Sequence, residues 1–295
     1  MTIRRFRYPP LIAAAVLVLY LRPFLNGAPA VNILLHTVVV CGVFLLCREL
    51  GFRSLIAAGA ALVFAFHPKQ LPVVLSPDGV TYILCTLLAL TAMILALRPW
   101  KRGWNIGIPV LVTALQMVIL YLRNDYLFLP VMTGAVVVIY QQRFDWRSLA
   151  VWCLGPLAAV FFFPVASLLP GSIILTDWGI AFWQTLIPLE VPVSLIPFWM
   201  MLMVLLSVIL PALPRNPAFV GWWIAPSLFA FAVSPLLLNR NIEGAGYAAS
   251  LFLWLPLFAA AQSYWHDRYK IPVLIGIVIY TSILSAISAL LVVFG

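Results

Sequence analysis

Charged residues are scarce in this chain, at 8% of its 295 positions, where a soluble domain carries about a quarter. So few charges cannot coat a globule of this length, whereas lipid needs no such coat. Cysteine is sparse as well. Cys41, Cys47, Cys85 and Cys153 all lie inside apolar runs without a CxxC spacing, which excludes a disulfide frame or a zinc ribbon and makes them packing residues. Walker loops, GxSxG, HExxH and nucleic-acid signatures are missing too, and with them the enzyme and binding classes those patterns mark. Internal repeats and low-complexity segments are lacking.

Apolar residues fill 65% of the sequence, in runs punctuated by charge. The runs cover about 9–24, 30–47, 54–67, 79–98, 106–122, 126–141, 148–169, 193–213, 219–238, 246–263 and 271–294. Many approach the roughly 20 residues that cross a bilayer core; the first and third are short and rely on neighbours or on local thinning. The expected fold is an all-α, polytopic integral membrane bundle of about eleven transmembrane helices, one transmembrane domain over 1–295.

The net charge of +9 raises nucleic acid as a partner, and the placement of the charges argues against it. Most basic residues fall in clusters at every second loop: Arg4, Arg5 and Arg7; Arg48 and Arg53; Arg98, Lys101 and Arg102; Arg143 and Arg147; Arg215; Arg268 and Lys270. That is the positive-inside pattern of cytoplasmic loops. It puts the amino terminus (1–8) in the cytoplasm and the carboxyl terminus outside. The exceptions, Arg22, Lys69, Arg123 and Arg240, fall in the alternate loops, together with Asp78, Asp125, Asp177, Glu190 and Glu243. The first run, preceded by Arg4 to Arg7 and followed by Gly27-Ala28-Pro29-Ala30, has the look of a signal peptide. Arg22 and Pro23 at its end favour a retained anchor, and residue 31 begins outside in both cases.

Chemistry is therefore sought on the outward face, where ionisable groups at membrane depth mark sites. Asp78, in Ser76-Pro77-Asp78-Gly79, stands at the head of a helix, as an N-cap or as a carboxylate able to bind or deprotonate a hydroxyl. His67, before Pro68 and Lys69, either bonds a loop carbonyl or faces a ligand. Arg123 and Asp125 flank Asn124 in a tight turn; they neutralise each other, or Arg123 holds a phosphate bidentately. Arg240 and Glu243 precede Gly244 and Tyr247, in a solvated turn or beside a substrate. Asn32 and His36 are polar positions in an apolar run, which predicts hydrogen bonds between helices. No second His or Cys has helical spacing to His36, so no metal is expected. The longest outward loop, 170–192, mixes Asp177, Trp178, Phe182, Trp183 and Glu190, as an aromatic belt or as a lid over a lipid-borne ligand.

The order of these motifs resembles a known superfamily. Arg22-Pro23-Phe24 through Asn32-Ile33-Leu34-Leu35-His36 is similar to the "RP…N-L-L-L-H" start of an early helix in GT-C glycosyltransferases that use polyprenyl-phosphate sugars, among them protein O-mannosyltransferases and lipid A aminoarabinose transferases. Phe64-Ala65-Phe66-His67-Pro68 resembles their "F-A-L-H-P". Ser76-Pro77-Asp78-Gly79 with Leu87-Leu88-Ala89-Leu90 resembles their next loop and helix. Arg123 with Leu127-Phe128-Leu129-Pro130 resembles a basic residue seven positions ahead of a helix proline, and Tyr247 through Leu255-Pro256 a late "Y-L-Y-L-P". The resemblance is best over about residues 20–135. It implies a GT-C-like fold in the bacterial inner (plasma) membrane and transfer of a sugar from a polyprenyl-phosphate carrier to an outward acceptor. In that scheme Asp78 activates the acceptor, with Asp125 and Glu243 as substitutes. Arg123, Arg240, Lys69 and His67 hold or orient the donor phosphate, and no cofactor is called for. Departures from the pattern accompany it. The family's catalytic acid sits in a long first outward loop, whereas Pro23 to Pro29 is short and holds neither Asp nor Glu. Pro72 stands where some relatives have an acid, and Arg123-Asn124 replaces a Lys-Glu pair. The acid-free first loop motivates a second class, an inert subunit supporting a partner membrane protein. A third is a flippase or transporter of lipid-linked sugars, against which stand the lack of buried mid-span carboxylates, of paired broken helices and of a repeat.

Overall fold

The computed structural model describes residues 8–67, 70–97 and 107–123, and the single positions Tyr126, Thr133, Tyr247, Ala248, Phe258 and Gln262. Among the described residues seven helices form: α1 (Tyr8–Leu19), α2 (Leu21–Leu25), α3 (Ala30–Glu49), α4 (Ser54–Phe66), α5 (Leu71–Leu75), α6 (Gly79–Leu97) and α7 (Gly107–Leu122). Among the described residues there is no strand. α3 and α6 are long and apolar enough to cross a membrane, while α1, α4 and α7 are shorter apolar helices. Apart from Tyr247, Ala248, Phe258 and Gln262, the expected runs from about 148 to 294 lie outside the described residues, as do the loop 170–192, Cys153 and nearly all of the run at 126–141.

Helix limits follow from local chemistry. Pro23 has no N–H to offer the Leu19 carbonyl, and its ring crowds that carbonyl, so the expected run at 9–24 divides at Tyr20 into α1 and α2. α2 and α3 both end on a glycine at φ +93°, where a side chain would be strained. At the end of α3 the Gly51 N–H meets the Arg48 carbonyl at 3.1 Å and the Phe52 N–H meets that of Cys47 at 2.9 Å. Gly27 and Ala28 repeat this Schellman closure on Phe24 and Pro23. The short α5 forms within Lys69 to Asp78, a stretch that reads from sequence as a loop; Pro72 near its start suits a first turn, where its missing N–H costs nothing.

α3 is central, packing on α1, α4, α5 and α6, and α6 in turn packs on α5 and α7. Hydrogen bonds fix the directions. The first turns of α3 reach the last turn of α4 and the loop ahead of α6, so α3 is antiparallel to α4 and runs alongside α6. The end of α7 meets the start of α6, making that pair antiparallel. Val39, Val40, Val43, Phe44, Ala57, Ala61, Phe64, Ile83, Ala89 and Leu90 fill the space between, all but sealed from solvent.

The outer surface is apolar as well. Leu34, Val38 and Leu45 of α3, on one stripe of the helix, are about half exposed, and so are Leu55 and Val110. Apolar side chains exposed along the helices, among the described residues, are what a lipid-facing surface carries. Thr37, Thr86 and Thr91 turn their hydroxyls back to the carbonyls of Ile33, Tyr82 and Leu87 at 2.8–2.9 Å, satisfying each polar group inside its own helix.

Candidate functional site

One end of this bundle is polar inside. It is formed by the start of α3, the end of α4, α5, the start of α6 and the end of α7, with Tyr247 inserted among them. The other end carries Arg48, Glu49 and Arg53, where the Arg53 backbone N–H donates to Gln262 Oε1 at 3.2 Å.

Asn32, in the first turn of α3, is buried, and its Nδ2 donates to the carbonyl of Val74 at 3.2 Å and to that of Ser76 at 2.6 Å. Both acceptors lie at the end of α5, where the last carbonyls of a helix lack intrahelical donors. The Ser76 carbonyl also accepts the Gly79 N–H at 3.0 Å, and the Asp78 N–H donates to Ser76 Oγ at 3.3 Å. Position 79 has no room for a side chain. A Cβ there would stand 1.7 Å from the Val73 carbonyl oxygen and 3.2 Å from Asn32 Nδ2. The Ser76-Pro77-Asp78-Gly79 turn is thus held from two sides.

One turn further along α3, His36 is fully buried. Its Nε2 lies 3.3 Å from the Ala65 carbonyl, near the end of α4. A carbonyl only accepts, so Nε2 carries the proton, and Nδ1 of the neutral ring accepts the Tyr247 hydroxyl at 2.6 Å. The rings of Tyr20, Phe64 and Tyr247 surround the imidazole at centroid distances of 5.5–6.1 Å. Gln70 Nε2 donates to the Tyr247 carbonyl at 3.4 Å. The expected hydrogen bonds of Asn32 and His36 between helices are present, and most of their partners are backbone carbonyls.

On the other side of α6, the Arg123 guanidinium lies 4.0 Å from the centroid of the Tyr82 ring and donates from Nη2 to the Tyr82 hydroxyl. A cation over an aromatic face is attracted by the ring quadrupole. Tyr126, fully buried, donates its hydroxyl to the Tyr82 carbonyl at 3.3 Å.

Of the residues singled out from sequence, Asp78 is exposed at the head of α6, His67 is buried just beyond α4, and Arg123 is half-buried at the end of α7. Asp78 and Tyr82 are four positions apart, one helical turn, so Asp78 and the Arg123 guanidinium share the same end of the α6–α7 pair. Lys69, Asp125, Arg240 and Glu243 lie outside the described residues. Sequence reasoning passed over Gln70, Tyr82 and Tyr126. The signal for Tyr82 was its spacing from Asp78; Gln70 and Tyr126 offered only proximity to motifs. Among the described residues no three His, Cys, Asp or Glu side chains gather into a metal-holding group.

No family model, curated protein or solved structure matches the chain.

Proposed function

We propose that the chain is a GT-C-like membrane glycosyltransferase, a bundle of about eleven spans in the bacterial inner membrane. It moves a sugar from a polyprenyl-phosphate donor to an acceptor on the outward face. One observation carries this reading. The segments that resemble the superfamily are scattered along the sequence, yet those around Asn32, Ala65–His67, Ser76–Gly79, Arg123 and Tyr247 meet at one end of the bundle. Asp78 and Arg123, a carboxylate and a guanidinium, stand at that same end, which is the division of labour that glycosyl transfer requires.

In this reading the Asp78 carboxylate takes the proton of the acceptor hydroxyl or amine as the acceptor attacks the anomeric carbon. The bond from that carbon to the carrier phosphate breaks, and the phosphate leaves with the electron pair. Arg123 meets the growing negative charge on the phosphate oxygens, with the Tyr82 ring and hydroxyl fixing its guanidinium. Asp125 and Glu243 are the substitute bases, and Lys69, Arg240 and His67 complete the phosphate-binding set.

The test is transfer of labelled sugar from polyprenyl-phosphate mannose and polyprenyl-phosphate aminoarabinose by the purified chain in lipid nanodiscs. Asp78→Asn is expected to lower turnover at least about a hundredfold; unchanged turnover removes Asp78 from the role. The acid-free segment from Pro23 to Pro29 favours a second reading, an inert subunit supporting a partner enzyme. Co-purification with an active transferase, and no turnover by the chain alone, would select it.

A further inference from the structure

Asn32 offers a role that its burial alone does not explain. A buried amide in an apolar helix needs hydrogen bonds, and any carbonyl nearby would serve. Both bonds from its Nδ2 instead go to a single segment, at Val74 (3.2 Å) and Ser76 (2.6 Å). That segment is the one that delivers Asp78. The Ser76 carbonyl is shared with the Gly79 N–H at 3.0 Å, and Ser76 Oγ receives the Asp78 N–H at 3.3 Å. Gly79 closes the opposite side, with the Val73 carbonyl where a Cβ would be. The turn is therefore clamped before and after Asp78, while the Asp78 side chain itself is exposed.

We propose that Asn32 is a positioning residue, whose side-chain amide fixes the Ser76–Gly79 turn on α3 and so sets where the Asp78 carboxylate stands. The proposal rests on the glycosyltransferase reading for its catalytic consequence, but the clamp itself does not. Asn32 touches no substrate in this role; it acts through two backbone carbonyls. The chemistry of an amide suits the task. Nδ2 carries two protons, one for each carbonyl, whereas a carboxylate of the same shape only accepts and would confront two oxygens. Asn32→Asp is thus a near-isosteric inversion of the clamp, and Asn32→Ala its removal.

The experiment has two arms, run on full-length chain in nanodiscs, with Asn32→Ala and Asn32→Asp each checked for monodispersity and melting temperature. In the first arm Asp78→Cys is labelled with a water-soluble maleimide, against the native chain with its own four cysteines as background. Loss of the clamp is expected to change the labelling rate at position 78 at least about threefold while the background rate stays constant. An unchanged rate in a folded Asn32→Ala protein overturns the proposal, whatever the chain catalyses.

The second arm measures sugar transfer in a double-mutant cycle with Asp78→Asn. Asn32→Ala is expected to lower kcat about ten- to a hundredfold with the donor KM held within about twofold, as for a misplaced catalytic group. In the Asp78→Asn background the same change is expected to have little further effect. Multiplying effects would show that Asn32 acts independently of Asp78 and overturn the positioning role. No transfer by the native chain, with altered labelling in the first arm, defeats the glycosyltransferase reading and leaves the clamp standing.

Discussion

His36 Nδ1 accepts the hydroxyl of Tyr247 at 2.6 Å, across 211 positions of sequence. The contact fastens a distant part of the chain to the central helix with one buried hydrogen bond. Tyr247→Phe keeps the ring and removes the donor, leaving Nδ1 unsatisfied. It should cost about 1–3 kcal/mol, seen as a lower melting temperature in detergent by fluorescence-detected size exclusion. A melting temperature equal to that of the native chain would mean that the bond contributes nothing net.

Gly79→Ala should be far more damaging than its single methyl suggests. The Cβ would fall 1.7 Å from the Val73 carbonyl oxygen, a backbone atom that cannot swing aside as a side chain does. The α5–α6 junction must shift to admit it, at a cost of about 3 kcal/mol or more. Folded yield from membranes is the measure, and a native-like yield would contradict the packing described.

Gln116 leads to the opposite sign. It is 1% exposed on α7, and neither atom of its amide has a hydrogen-bond partner among the described residues. Burying such a group without partners is unfavourable. Gln116→Met, close in shape, should raise stability by about 1–2 kcal/mol. A destabilised Met variant would show that the amide is satisfied in the folded protein.

Tyr82 separates two contributions to the placing of Arg123. Tyr82→Phe removes the hydroxyl acceptor and keeps the ring under the guanidinium; Tyr82→Ala removes both. The alanine variant should lose more stability, by about 0.5–2 kcal/mol for the cation–ring contact in addition to the lost packing. If Arg123 holds the donor phosphate, Tyr82→Phe should also raise the donor KM severalfold with kcat little changed. Equal melting temperatures for the two variants would mean that the ring contact has no energetic weight.

The limits of α3, α4, α6 and α7 were legible in the sequence to within about two residues. Each apolar run is bounded by charge, proline or glycine, and those boundaries end a helix for local reasons. The division at Tyr20 was legible too, in Pro23, but a run counted by hydropathy alone passes over a single missing N–H. Asn32 and His36 announced themselves as polar positions in an apolar run. What they bind was hidden, because Ala65, Val74 and Ser76 contribute carbonyls, which every residue has. The same holds for α5 and for Gly79, where the decisive contact is with backbone. Arg123 was visible as a charge; its companion Tyr82 looked like any aromatic residue of an apolar helix.

That reliance on main-chain acceptors has a consequence for how this end of the protein can diverge. Asn32 and His36 hold their neighbours through oxygen atoms that survive almost any substitution at positions 65, 74 and 76. Ala65 and Val74 are buried, so their side chains still answer to the packing around them, but the hydrogen bonds of the frame do not depend on which apolar side chains those are. Two residues of one helix, Asn32 and His36, would then be intolerant of change, while positions 65 and 74 could exchange one apolar side chain for another of similar size.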